Sequence, residues 1–183
     1  MTTKTFALLF FLAFAIQIAF GQKYMTKNGH IRFYSETPIE TIEAHNRQVN
    51  SALDLTSGDF VFRVLMKSFE FEKALMQEHF NENYVESDKF PNAIFNGKVL
   101  NIESLDLTST ETFEAEIEGD LTIHGVTRKI KEKGVFTTDG QAITGHSTFI
   151  VKPADYDIKI PKAVVNNIAQ EIEVTVNVVL ESL

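Results

Sequence analysis

The sequence predicts an all-β fold, an antiparallel up-and-down barrel of about eight strands with one inserted helix. Three observations predict it. Apolar and polar residues alternate over most of the chain, at the period of a strand. The alternating runs are separated by tight-turn chemistry at Asn28-Gly29, Ser57-Gly58, Gly125-Val126 and Asp139-Gly140. Helical spacing occurs in one stretch only, between Phe69 and Asn83. A barrel of about eight strands has an interior that holds either side chains alone or one ligand.

Residues 1–21 (MTTKTFALLFFLAFAIQIAFG) contain one lysine and an apolar run from Phe6 to Ile16. Ala19 and Gly21 then stand at the small-residue positions of a cut before Gln22. This is the pattern of a secretory signal peptide, and Gln17 interrupts the run that a membrane anchor would need. The expected domain is residues 22–183, exported to the periplasm or secreted, with no membrane span once the signal is removed. There is no cysteine, so neither a disulfide nor a lipid-modified N-terminal cysteine is available.

The remaining elements follow in order. Tyr24 to Phe33 reads as two strand segments around Asn28-Gly29. Ile42 to Leu55 alternates weakly and ends at Ser57-Gly58. In the next strand Phe60, Phe62, Val64 and Met66 share one face. The helix comes next, with Phe71 and Leu75 expected to face the barrel and Glu70 and Glu72 in its first turn. Pro91 closes the following loop and launches a strand from Ala93 to about Ile102. Thr112 to His124 places Phe113, Ile117, Leu121 and Ile123 on one face and Glu114, Glu116, Glu118 and Asp120 on the other. A two-residue turn at Gly125-Val126 predicts Asp120 opposite Lys131 and Glu118 opposite Lys133. A second turn at Asp139-Gly140 predicts Phe136 opposite Ile143 and Ile130 opposite Phe149. Arg128 and Glu132 fall on that same inward face, an unusual place for charge. Pro153 to Asp157 is an irregular crossing, and Ala169 to Glu181 is the last strand, with Ile172, Val174, Val176, Val178 and Leu180 on one face.

Seventeen Lys and Arg against 25 Asp and Glu give a net charge of −8, and Lys4 is the one charged residue of the leader. The acidic balance argues against nucleic acid and against electrostatic binding to anionic membranes. The five histidines, His30, His45, His79, His124 and His146, form no H-x-H or H-E-x-x-H pair, so no metal site is expected. No G-x-S-x-G elbow, dinucleotide fingerprint or phosphate loop occurs. The glutamate comb at 114, 116 and 118 reads as a solvated strand face. No enzyme activity and no cofactor are therefore expected. His79 suits the helix exit and His124 a turn-stabilising hydrogen bond.

The inward face carries many large apolar residues: Phe60, Phe62, Met66, Phe95, Phe113, Leu121, Phe136, Phe149 and Ile172. From composition alone a dry, interdigitated core is the simpler filling.

Two separated segments bear on that choice. Met76-Gln-Glu-His79-Phe80 with Asp88-Lys-Phe-Pro91 and Ala93-Ile-Phe95, and then Gly119-Asp-Leu-Thr-Ile-His124-Gly125-Val-Thr127, resemble the two signatures of the YceI-like polyisoprenoid-binding family. The resemblance runs from about Lys23 to Leu183. It implies a lipocalin-like barrel that encloses a polyisoprenoid or similar long-chain amphipathic lipid, with the nine inward residues lining the cavity. The lipid's head would lie at the mouth, where Arg47, Arg63 and Arg128 are candidates for a phosphate or carboxylate. A hydrolase or isomerase using the same pocket, and a solid-core stress-related interaction protein, are the alternatives. A homodimer is left open.

Overall fold

The computed structural model describes residues 23–106, 110 and 112–183; the expected signal peptide lies outside them. Among the described residues nine strands form one sheet: β1 (Lys23–Glu36), β2 (Thr41–Asp54), β3 (Asp59–Leu65), β4 (Phe69–Phe71), β5 (Asn92–Val99), β6 (Thr112–Ile123), β7 (Val126–Thr138), β8 (Ala142–Val151) and β9 (Ile172–Ser182). The order β1-β9-β8-β7-β6-β5-β3-β2 closes through β1–β2 pairing into an antiparallel barrel of eight strands. The short β4 adds to the first half of β2, pairing Ala44–Asn46 with Phe69–Phe71.

Asn28-Gly29 makes no hairpin; β1 runs through it. The pairing of β1 with β2 slips at Gly29, so the side-chain alternation changes phase there. The glycine is needed for closeness: a Cβ would stand 3.0 Å from Val178 Cγ1 and 3.2 Å from Val49 Cβ. At the β6–β7 hairpin the turn residues are His124 and Gly125, both with positive φ (51° and 76°), as a type I′ turn requires. The register is therefore two places from the expected one. Asp120 stands opposite Lys129, Glu118 opposite Lys131 and Glu116 opposite Lys133. Charge complementarity survives because the acidic and basic combs both have period two, so a two-residue shift preserves it.

The helix also differs from expectation. Phe69 and Phe71 lie in β4, and α1 is only Ala74–His79 with no buried residue. The Phe-Glu-Phe alternation spends the apolar residues on a strand, leaving the helix without an apolar stripe. Leu75, expected to face the barrel, is 61% exposed. The π-wound turn Phe80–Tyr84 does the covering instead. The Phe80 ring packs tilted or edge-on 5.5 Å from Phe33, 5.5 Å from Phe69 and 5.1 Å from Phe71 between ring centroids. Leu75→Ala should accordingly change stability by less than about 0.5 kcal/mol, while Phe80→Ala should cost several times as much. Chemical denaturation of the two variants checks the ordering.

His124 joins the separated signature segments. Its Nε2 lies 2.7 Å from the Glu86 carboxylate and its Nδ1 3.1 Å from the Tyr156 carbonyl oxygen. Both partners are acceptors, so only the ring carrying both protons donates to both. The Phe90 ring packs edge-on against it at 4.6 Å. The long β8–β9 connection is tied across the β1–β2 turn, where Asn167 Nδ2 donates to Glu40 and the Ala169 N–H to the Ser35 hydroxyl.

Candidate functional site: an apolar cavity open between two strands

The barrel interior holds two apolar clusters. Tyr24, Leu53, Val99, Phe136, Ile143 and Leu180 belong to one, near the start of β1 and the end of β9. Ile31, Ala44, Val64, Met66, Phe69 and Val85 belong to the other, toward the opposite end. Phe62 and Val176 pack against both. Within the barrel lies a cavity of about 100 Å³.

Of the residues expected to line a cavity, Phe60, Phe62, Phe95, Leu121, Phe136 and Phe149 do so. Met66 is buried in the second cluster and Phe113 packs on the first. Ile172 pairs with Val151 at the start of β9 and does not reach the cavity. Ile117, Ile130, Glu132 and Val178 complete much of the wall. They lie on the inward faces that alternation defines, where the charge of Glu132, like that of Arg128, was an irregular signal.

The cavity sits beside a break in the barrel wall. The β7–β8 ladder runs only from Thr138↔Ile143 to Val135↔His146. Beyond that point β7 stays paired with β6 down to Val126, and β8 with β9 up to Val151. The two strands diverge because each follows its other neighbour. The expected pairs Phe136–Ile143 and Ile130–Phe149 are therefore not formed. Phe136 faces Gly145, since Asp139 accepts the N–H groups of Gln141 and Ala142 in a longer turn than two residues. Ile130 and Phe149 flank the gap. At its narrow end the Ser147 hydroxyl donates to the Lys133 carbonyl at 2.6 Å. At its wide end Arg128 Nε donates to the Asp155 carbonyl at 2.9 Å, on a short turn at Pro153–Tyr156.

None of the three arginines lines the cavity. Arg47 pairs with Glu70 at 3.5 Å on an exposed face. Arg63 Nε donates to Asn92 Oδ1 at 3.0 Å, also exposed. Arg128 stands at the rim of the gap, with its guanidinium engaged as described. Away from the cavity, His30 and His45 meet with a 3.0 Å contact between Nε2 and Nδ1, and burial, then the neighbouring His45, lowers the His30 pKa. No cluster of three or more metal-binding side chains occurs among the described residues.

Glu132 is half-buried, and burial pushes its carboxyl above the ordinary 4.5. The folded protein thus holds this proton more tightly than the unfolded chain does. The resulting penalty is absent below the unfolded pKa, grows as pH rises through the interval up to the folded pKa, and is complete above it. Glu132→Gln should raise the melting temperature more at about pH 7 than at about pH 4. Equal shifts in melting curves at the two pH values would contradict this.

Solved structures with the same fold are known. A polyisoprenoid binding domain from Saccharophagus degradans, described as implicated in plant cell wall breakdown, superposes with a TM-score of 0.78 at 14% identity, covering 89% of this chain and 99% of that one. BcnA of Burkholderia cenocepacia gives 0.64 at 11% identity, over 83% and 95%. A YCEI protein of Campylobacter jejuni gives 0.58 at 16% identity, over 76% and 84%. No curated protein matches the chain. The YceI-like domain matches residues 23–180, and on that match the chain belongs to the YceI-like family.

Proposed function

We propose that this is an exported, non-catalytic binding protein that takes the apolar chain of a long amphipathic lipid, a polyisoprenoid or similar, into the barrel between β7 and β8. Such a protein would serve transport, storage or stress protection. The observation that carries the reading is the apolar cavity beside a break in the barrel wall. Transfer of each CH₂ from water into such a wall contributes about 0.8 kcal/mol, so a chain binds without polar contacts along its length. Family membership and the polyisoprenoid-binding neighbour support the ligand class. The sequence of residues 1–21 supports export.

The polar groups at the cavity favour binding over catalysis. His146 Nδ1 bonds to Asn177 Oδ1 at 2.8 Å, and the Ser147 hydroxyl is held by the Lys133 carbonyl. The two therefore form no nucleophile–base pair. As it stands the cavity takes only a short part of a chain, for an apolar cavity of roughly 150 Å³ holds a benzene. A longer stretch requires half-buried Phe62, Ile130 and Phe149 to turn aside, as their position at the cavity permits.

Phe62→Trp tests the reading. The larger ring should fill the cavity, weaken binding of a prenyl chain by roughly tenfold or more, and leave the melting temperature within a few degrees of wild type. Unchanged affinity, with destabilisation by about 1–3 kcal/mol, would mean that the interior is a packed core.

A further inference from the structure

Two ionisable residues line the cavity, Glu132 and His146; His146 is exposed with its Nδ1 bonded to Asn177, which leaves Glu132 as the one on the inward face. Glu132 stands on β7 opposite Ile117, with Ile130 and Gly134 as its neighbours on the inward face, at the flank of the gap. Its carboxyl makes no hydrogen bond or ion pair with a described residue, and burial alone accounts for its raised pKa. None of the basic groups nearby pairs with it. Lys129 and Lys131 lie on the outer face and pair with Glu118 and Glu116 at 3.8 and 3.6 Å. Lys133 is exposed on the same outer face. Arg128 is held by the Asp155 carbonyl. On the other flank β8 offers Ser147, Phe149 and Val151, and the facing part of β6 offers Ile117, Gly119 and Leu121; none of these is charged. A carboxyl in an apolar wall without an internal partner is destabilising unless something else supplies a donor.

Resting on the lipid-binding reading above, we infer that Glu132 is the head-group site of the barrel, selecting lipids whose head donates hydrogen bonds, prenyl alcohols and amines, and rejecting diphosphate and carboxylate heads. A chain lying in the cavity with its end at the gap brings its head to the β7 flank. There the carboxylate accepts an O–H or N–H of the head, and an ammonium head adds charge attraction. An anionic head meets a like charge in a half-buried site, and no basic side chain pairs with Glu132 to offset it.

The test uses delipidated protein titrated at neutral pH with geranylgeraniol, geranylgeranylamine and geranylgeranyl diphosphate, which share one chain and differ in the head. Wild type should bind the alcohol and the amine at least about tenfold more tightly than the diphosphate. Glu132→Gln, which keeps an acceptor and removes the charge, should abolish the advantage of the amine over the alcohol. Glu132→Lys should bring the diphosphate to the top of the order. Asp120→Asn, on the outer face, should leave the order unchanged. If all three bind wild type within about threefold of one another, or the diphosphate binds best, the head-group assignment is wrong while the apolar cavity stands. If none binds wild type or Glu132→Leu, the lipid-binding reading falls together with it.

Discussion

Phe136→Ala should lower the unfolding free energy by about 3–5 kcal/mol. Phe136 is 2% exposed, and its ring lies between those of Phe60 and Phe113, at centroid distances of 5.8 and 6.3 Å. It also fills the space over Gly145, where a Cβ would come within 2.9 Å of the ring. Truncation therefore removes a large buried side chain and leaves a hole that backbone on both sides keeps from collapsing. Phe136→Trp should be costly too, by about 1–3 kcal/mol, because the same walls resist expansion. Phe136 thus differs from Phe62, although both touch the cavity: one is the packed floor, the other a half-buried side. Denaturant unfolding decides this, and a loss under about 1 kcal/mol for Phe136→Ala would show that the floor is loose.

The second large effect is on ligand exchange. Gly134 and Ser147 face each other where the β7–β8 ladder ends, and a Cβ on Gly134 would lie 3.6 Å from the Ser147 Cβ. That separation suits a disulfide, and the chain has no cysteine of its own to interfere. Ile117 Cδ1 and the His146 carbonyl oxygen, 3.1 and 3.2 Å from the same position, must give by a few tenths of an ångström. In Gly134→Cys/Ser147→Cys, oxidation should pin the corner of the gap and slow prenyl-chain uptake and release by about tenfold or more, and reduction should restore the rate. Equal rates in the oxidised and reduced protein would place the path of the lipid elsewhere.

Much of the barrel was legible in the sequence because strand alternation and turn residues act locally. The inward faces of β3, β5 and β6 follow directly from Phe60-x-Phe62, Ala93-x-Phe95 and Phe113-x-Ala115-x-Ile117. What misled were residues with two local meanings. Asn28-Gly29 carries a hairpin signal, yet Gly29 serves close packing against Val49 and Val178. Phe71 fits a helix face with Ala74 and Leu75 and a strand face with Phe69, and pairing of Phe69–Phe71 with Ala44–Asn46 decides for the strand. His124-Gly125 and Gly125-Val126 are both plausible turns; the positive φ of both His124 and Gly125 settles which one forms. The gap between β7 and β8 had no local signature, since each strand alternates normally and is fully paired on its other side. Arg128 and Glu132 on one inward face were its trace. The arginines were sought as anion partners, but each already has a protein acceptor.

The most direct test of the central claim, that the barrel encloses an apolar chain, is native mass spectrometry of the protein purified without detergent, then delipidated and reloaded with geranylgeraniol. The account predicts one-to-one adducts, of co-purified lipid in the first sample and of geranylgeraniol in the second, both strongly reduced in Phe62→Trp. Protein at its bare mass before and after loading, with a melting temperature that excess geranylgeraniol does not raise, would contradict it.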